Sequence, residues 1–346
     1  MQQVYWDGVI RFALLGASGY VGGELLRLCI GHPELVPVAA FGDSQAGEPL
    51  EVVHPHLASA YDGLVLERFE PARLDGVDLV FAALPHGQSQ RLIDAVLERD
   101  LRFVDLGADF RLRDAHDYAR WYGEAHERPE LLSRFVYGLP EMDREAVRSA
   151  KLVAAPGCYP TAAILALKPM VDAGLVDPAS LVVDAISGVS GAGKALKPET
   201  HFCAVDGAVT AYGLLNHRHT AEMEQALGAR VLFTPHLAPM SRGLLATCHG
   251  VASGPMDADA PLNALRAAYA EEPFIRVDAR PPSTKWVAGS NAVHLTARYD
   301  ARTGRVVAVA ALDNLVKGAA GQMIQCANLM LGLPETAGLT VAGVWP

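Results

Sequence analysis

Hydrophobic and polar residues follow two different patterns along this chain, and the change between them falls near residue 158. Before it, short apolar runs recur at Val9–Leu15, Leu35–Phe41, Val77–Ala83, Leu101–Leu106 and Lys151–Ala155. Each has the length of a strand buried on both faces. Segments with helical character, such as Glu24–Ile30 and Gln88–Arg99, stand between them. Strands alternating with helices predict an α/β fold with a parallel, doubly wound sheet, whose ligands bind at the carboxyl ends of the strands.

Beyond residue 158 the pattern changes. Ala162–Val171 reads as a helix and Leu181–Ile186 as a strand. Two β-rich stretches, Val231–Val251 and Asn291–Leu312, enclose a helix-like interval, Pro261–Ala270. This predicts an α+β domain built on a mostly antiparallel sheet. A last helix runs from the Asp313-Asn314 pair to about Leu331. No repeat or low-complexity linker marks a boundary.

Composition narrows the function classes. The chain has 346 residues, 51% of them apolar and 20% charged, enough for two cores. A formal net charge of −10 argues against nucleic-acid binding, which calls for a basic surface. No apolar run approaches the length of a membrane span, and Met1–Gly8 lacks the basic-then-apolar pattern of a secretory signal. Five cysteines without paired spacing fit a reducing compartment. The expectation is a cytoplasmic protein.

Three places carry candidate chemistry. The first apolar run leads into Gly16-Ala-Ser18-Gly19-Tyr20-Val21-Gly22 and then a helix. Strand, glycine turn and helix form the setting in which backbone approaches a pyrophosphate at a helix N-terminus. The spacing is G-x-x-G-x-x-G, a variant of the dinucleotide fingerprint. About twenty residues on, Asp43 would suit a ribose 2′-hydroxyl, whereas Ser44 and the backbone N–H groups around Gln45–Gly47 would suit a 2′-phosphate. No lysine or arginine lies between Phe41 and Val53.

The second place is Ala155-Pro156-Gly157-Cys158-Tyr159-Pro160-Thr161. Gly157 permits a tight turn, and Pro160 suits the first turn of a helix. Cys158 is thereby set near a helix N-terminus, where a thiolate is favoured. Cys29, Cys203, Cys248 and Cys326 lack such flanks. The third place is Asn216-His217-Arg218-His219-Thr220, ahead of a helix-like stretch. Residues two apart cannot share a helix face, so at least one histidine lies on the turn. His54 and His56 repeat the spacing, but no carboxylate or thiolate cluster accompanies either pair, and no metal site is expected. Arg111 stands just past a strand end, as an anion clamp or as a surface ion pair with Asp109 or Asp114. The small-residue loop Ser187-Gly188-Val-Ser-Gly-Ala-Gly193-Lys194 either wraps a cofactor or connects elements.

Together these blocks, with Leu84-Pro85-His-Gly87, Gly107-Ala-Asp-Phe-Arg111 and Asp313-Asn314-Leu-Val-Lys-Gly318, resemble the N-acetyl-γ-glutamyl-phosphate reductase family of the aspartate-semialdehyde dehydrogenase superfamily. The resemblance spans almost the whole chain, and Pro-Gly-Cys-Tyr-Pro-Thr is its most specific block. It implies NADPH-dependent reduction of an acyl phosphate to a semialdehyde in arginine biosynthesis, through a thioester on Cys158, with His217 as the base. It also implies a discontinuous Rossmann-like domain, 1–157 and 314–346, beside a catalytic and dimerisation domain, 158–313, in a homodimer or homotetramer. Arg111 would hold the leaving phosphate, and Lys194, Arg218 and His219 would contact substrate. Coenzyme contacts would come from Gly16, Ser18, Gly19, Tyr20, Val21, Gly22, Ser44, Leu84, Pro85, Ser187, Gly188 and Asn314. Alternatives are a reductase of a carrier-linked aminoadipyl phosphate, an aspartate-semialdehyde dehydrogenase, and a nucleotide-sensing regulator without catalysis.

Overall fold

A computed structural model describes residues 8–345. Its chain contacts divide it into two compact units. The first runs to Arg113 and takes in His126–Ala155 and Ala320–Leu339. The second comprises Asp114–Ala125, Pro156–Ala319 and the segment from Thr340 onward. Residues 114–125 and 340–345 thus go with the second unit, although chain order groups them with the first.

The first unit is built on six strands: β1 (Ile10–Leu15), β2 (Leu35–Phe41), β3 (Leu79–Ala82), β4 (Arg102–Asp105), β5 (Val136–Tyr137) and β6 (Leu152–Ala154). Their order is β2-β1-β3-β4-β6-β5, and every neighbouring pair is parallel. The apolar runs are continuous because these strands are buried on both faces: β3 has no exposed residue. β2 lies at an edge, which tolerates Pro37, and the ladder shifts register between Phe12 and Ala13, where Pro37 pairs. The direction of winding reverses between β1 and β3, so the crevice beyond their carboxyl ends is the expected ligand position.

The helix Gly321–Met330 belongs to this unit, and all of its residues are buried. A helix buried all round needs partners for its polar side chains. The Gln322 amide donates to the Gly138 carbonyl at 2.7 Å, the Gln325 amide to Glu335 at 2.8 Å, and the Asn328 oxygen meets His32 Nε2 at 2.9 Å.

In the second unit a seven-stranded sheet contains β7 (Leu181–Gly188), β8 (Thr210–Ala211), β9 (Val231–Ala238), β10 (Leu244–Val251), β11 (Ile275–Val277), β12 (Val293–Asp300) and β13 (Arg305–Leu312). The order is β11-β12-β13-β10-β7-β9-β8. The β7–β9 and β11–β12 pairs are parallel and the rest antiparallel. Burial alternates along β7 and β10, as expected of strands with one covered face. The helix Cys158–Asp172 packs across β10 and β13.

This helix begins four residues earlier than its apolar pattern implies. Gly157 is its N-cap, and Pro160 falls in the first turn, where a missing N–H costs nothing. The helices Ala115–Tyr122 and Pro140–Ser149 and the strand β5 carry too little hydrophobic pattern to be read from sequence. The first of them is nevertheless framed by its ends: Asp114 accepts the His116 N–H at 2.7 Å, and Gly123 closes it at φ +79°.

One glycine of the β1 turn is testable. Gly16 has φ +81°, and a Cβ there would lie 2.4 Å from the Ala83 carbonyl oxygen. Gly16→Ala is expected to lower the urea-unfolding free energy by about 2 kcal/mol and to weaken nicotinamide-coenzyme binding in the same protein. An unchanged midpoint would show that the turn does not hold this conformation.

Candidate active site

The residues before Cys158 form the floor of the site in the second unit. Gly157 sits at φ −70° and ψ 160°, an ordinary extended conformation. Its glycine is therefore required by space, not by turn geometry. A Cβ at 157 would lie 2.4 Å from His219 Nε2 and 2.7 Å from the same ring's Cε1. Gly318 makes the second close approach, since a Cβ there would lie 2.7 Å from the Cys158 Cβ. Cys158 is the first residue of a fifteen-residue helix and is partly exposed. The partial positive charge of that helix terminus favours a thiolate.

The other cysteines have different surroundings. Cys29, Cys248 and Cys326 are buried. Burial pushes the thiols of Cys29 and Cys248 up, far above the usual range. Cys326 donates to the Gly138 carbonyl at 3.3 Å. Cys203 is exposed on the short helix Phe202–Val205, with no long helix behind it.

The two histidines are held differently. His219 opens the helix His219–Leu227, and His217 lies on the preceding turn. The His217 ring stands among aromatic rings, with centroids 5.7 Å from Tyr159, 5.4 Å from Tyr212 and 5.3 Å from Phe233. Burial, aided by the Arg218 charge, holds its pKa at about 4, below the ordinary imidazole range. Its Nδ1 accepts the His219 backbone N–H at 3.2 Å, which places the proton of the neutral ring on Nε2. A ring in that state donates from Nε2 and has no basic nitrogen left there. His219 has its Nε2 directed at Gly157 and 3.9 Å from Glu222 Oε1.

Around them, Tyr212 Oη donates to Tyr159 Oη at 3.3 Å, and Tyr159 Oη donates to the His236 carbonyl at 2.9 Å. Burial pushes the Tyr212 phenol up to about 12, so it stays protonated at neutral pH. The exposed Arg218 stacks over Tyr122 at 5.3 Å. Lys194 is exposed in the loop after β7. Tyr212, Phe233 and Glu222 were absent from the expected site. Only Glu222 had a readable signal, its three-residue spacing from His219 at a helix start.

The small-residue loop is a built structure. Ser187 is buried, and its hydroxyl donates to the Gly188 carbonyl at 3.1 Å. The Asn314 amide donates to Ser190 Oγ at 2.9 Å, and its oxygen accepts the Gly243 N–H at 2.7 Å. Asn314 therefore clamps the loops after β7 and before β10 together. Its neighbour Asp313 accepts the Leu315 N–H at 2.8 Å and the Gly289 N–H at 2.6 Å.

In the first unit, the fingerprint glycines fit a nicotinamide dinucleotide. A Cβ at Gly22 would lie 2.5 Å from the Gly16 carbonyl, and Gly19 is the N-cap of the helix Tyr20–Cys29 with no side-chain cap on it. Leu84 and Pro85 follow β3 at the same end of the sheet, with the Leu84 side chain 3.5 Å from the Cβ position of Gly16. Tyr20 is exposed, and Val21 and Ser18 are half-buried. His54 is buried and meets the Ala17 carbonyl at 2.8 Å, so it braces the turn. No cluster of three or more metal-ligating groups occurs among the described residues.

Asp43 and Ser44 are exposed in the 3-10 turn Asp43–Gln45. The N–H groups of Gln45, Ala46 and Gly47 donate to the carbonyls of Gly42, Asp43 and Leu66 at 2.8, 3.3 and 2.7 Å. They are thus occupied, contrary to the expectation that they await a 2′-phosphate. Arg111 is buried rather than a surface residue, and its Nη2 donates to the Leu106 carbonyl at 2.6 Å. Asp109 is also buried and accepts the Gly87 N–H at 2.6 Å and the Gln90 N–H at 3.1 Å, which fixes the loop after β3.

Comparison with known proteins agrees with this division of labour. Residues 11–150 match the NAD-binding domain of semialdehyde dehydrogenases, and residues 158–314 match their dimerisation domain. An N-acetyl-gamma-glutamyl-phosphate reductase of Moorella thermoacetica is 45% identical over 98% of this chain and the whole of its own length. One from a Jannaschia species is 48% identical over 97% of this chain and 99% of its own. Among solved structures, an aspartate semialdehyde dehydrogenase II of Vibrio cholerae aligns with a TM-score of 0.69 at 18% identity, covering 94% of this chain and 99% of that one. An aspartate semialdehyde dehydrogenase of Candida albicans with NADP gives 0.65 at 16% identity, covering 95% and 99%. At such identity the solved structures speak for the fold, and the curated relatives for the branch within it. Glycine cradle, cysteine at a helix start and paired histidines are thus the parts of one known architecture: the chain belongs to the semialdehyde dehydrogenase family, in the branch of the N-acetyl-γ-glutamyl-phosphate reductases.

Proposed function

We propose that the chain reduces N-acetyl-L-glutamyl 5-phosphate to N-acetyl-L-glutamate 5-semialdehyde and phosphate, with NADPH, in arginine biosynthesis. The observation that carries this reading is Cys158 at the first position of its helix, with the His219 ring against the preceding residue. The near-full-length likeness to reductases of that name supplies the substrate class.

The steps follow from these groups. His219 holds the thiol proton, the Cys158 thiolate attacks the acyl carbon, and phosphate leaves with the electron pair of the C–O bond. His219 returns the proton to the departing phosphate, and a thioester remains. The chemistry that a nicotinamide coenzyme would supply when bound is a hydride, which reduces the thioester carbon. The resulting thiohemiacetal oxyanion collapses, expels the Cys158 thiolate and releases the aldehyde; solvent reprotonates the sulfur. His217, neutral and carrying its proton on Nε2, is suited to donate to the acyl oxygen as charge builds there. This gives the base role to His219 rather than to His217. Arg218 and Lys194, both exposed in the second unit, are assigned to the substrate carboxylate.

The nucleotide-binding cradle is assigned to NADP, with Ser44 as the donor to its 2′-phosphate. The match to a dimerisation domain supports a homo-oligomer, a homodimer or homotetramer, as do the exposed Leu196, Phe202, Leu214 and Leu215 of the second unit. No described helix is long and apolar enough to cross a membrane, in keeping with a cytoplasmic enzyme.

Two measurements test this reading. Iodoacetamide at neutral pH is expected to alkylate Cys158 before Cys203, although Cys203 is the more exposed, because thiolate character outweighs access. Faster labelling of Cys203 would remove the activated-thiolate argument. In the oxidative direction, with N-acetylglutamate semialdehyde, phosphate and either coenzyme, kcat/KM is expected to favour NADP over NAD by about tenfold, or about 1.4 kcal/mol. Ser44→Ala should erase that preference. A wild-type preference for NAD, or undiminished discrimination in the variant, would overturn the coenzyme assignment.

A further inference from the structure

Glu222 is fully buried, yet a carboxylate out of water needs partners that compensate its charge. It stands one helical turn after His219, so both side chains leave the same face of the helix His219–Leu227. One carboxylate oxygen, Oε2, accepts the backbone N–H of Gly157 at 3.0 Å. The other, Oε1, lies 3.9 Å from His219 Nε2. A single buried carboxylate thus touches the residue before the nucleophile and faces the imidazole that packs on it.

We propose that Glu222 is a positioning residue of the reaction, joining the Gly157–Cys158 turn to His219 and raising the proton affinity of that imidazole. The proposal rests on the reading that Cys158 and His219 are the reacting pair. Two consequences follow from the geometry. The hydrogen bond to Gly157 fixes where the cysteine helix begins relative to the histidine helix, both of which lie in the second unit. The negative charge stabilises the imidazolium, so His219 holds the thiol proton better than an isolated histidine would.

The other groups facing His219 are compatible with this. His217 is 4.8 Å away between ring centroids and is neutral above its depressed pKa. Tyr159, at 5.9 Å, is a phenol that burial keeps protonated. Arg218 precedes His219 in the chain and extends toward Tyr122. Glu222 thus sets a negative charge 3.9 Å from the ring, alongside the Cys158 thiolate.

Glu222→Gln separates the two consequences, because the amide oxygen still accepts the Gly157 N–H while the charge is gone. In this variant the acid limb of the kcat/KM profile is expected to move down by about one pH unit, and kcat to fall by about tenfold. The His219 ring resonances, followed by NMR titration with labelled histidine, should show the same downward shift independently of turnover. Glu222→Asp, which keeps charge but shortens reach, should restore part of the pH limb. An unmoved limb and unmoved His219 titration would overturn the proposal, and so would a loss of kcat accompanied only by a lower unfolding midpoint. Cys158→Ala distinguishes the underlying reading: if it retains turnover the reading fails, whereas if it is inactive and Glu222→Gln is normal, only the Glu222 proposal fails.

Discussion

The absence of a side chain at residue 157 is the constraint on which the site depends. The His219 imidazole occupies the volume that a Cβ would need, and the Gly157 N–H is taken by the Glu222 carboxylate. Any larger residue there would drive the histidine helix away from the cysteine helix. That would cost the packing and move the His219 ring away from the Gly157–Cys158 turn. On the opposite side, Gly318 allows the chain after β13 to pass against Cys158 itself. Cys158, the proposed nucleophile, is therefore held between two glycines whose role is proximity, at the N-terminus of its helix.

The same economy governs the nucleotide unit. Gly16 and Gly22 pack backbone on backbone at the turn between β1 and its helix, and His54 braces that turn through the Ala17 carbonyl. Asp109 secures the loop after β3 by accepting two of its N–H groups. What remains open toward a ligand is the helix N-terminus at Gly19. A helix N-terminus of this kind suits a pyrophosphate. Beyond β2, the backbone N–H groups of Gln45–Gly47 are taken by internal hydrogen bonds, and Asp43 and Ser44 are exposed.

Much of this was legible in the chain. Five apolar runs became β1, β2, β3, β4 and β6 within a residue or two at each end, because strands buried on both faces leave an unbroken apolar record. The α+β half was readable from the length and spacing of its β-rich stretches. The position of Cys158 at a helix start was readable from Gly157 and Pro160, although the reason for the glycine was not: it answers to His219, sixty-two residues later in the chain. Long-range approaches of that kind leave no local pattern. Likewise, Glu222 was visible as a neighbour of His219 on one helix face, but its reach to Gly157 was not. His217 and His219 are equivalent as letters. A backbone hydrogen bond and the burial of one ring distinguish them, and both are properties of the folded chain.

In the proposed reaction the acyl group passes through Cys158. The most direct test is to mix the protein with N-acetylglutamyl phosphate in the absence of coenzyme, quench in acid and map peptides by mass spectrometry. An N-acetylglutamyl thioester is expected on the peptide containing Cys158, formed with release of one phosphate per active site and discharged to aldehyde when NADPH is added before the quench. Full turnover without any adduct on Cys158, or an adduct on a different residue that is competent toward NADPH, would contradict it.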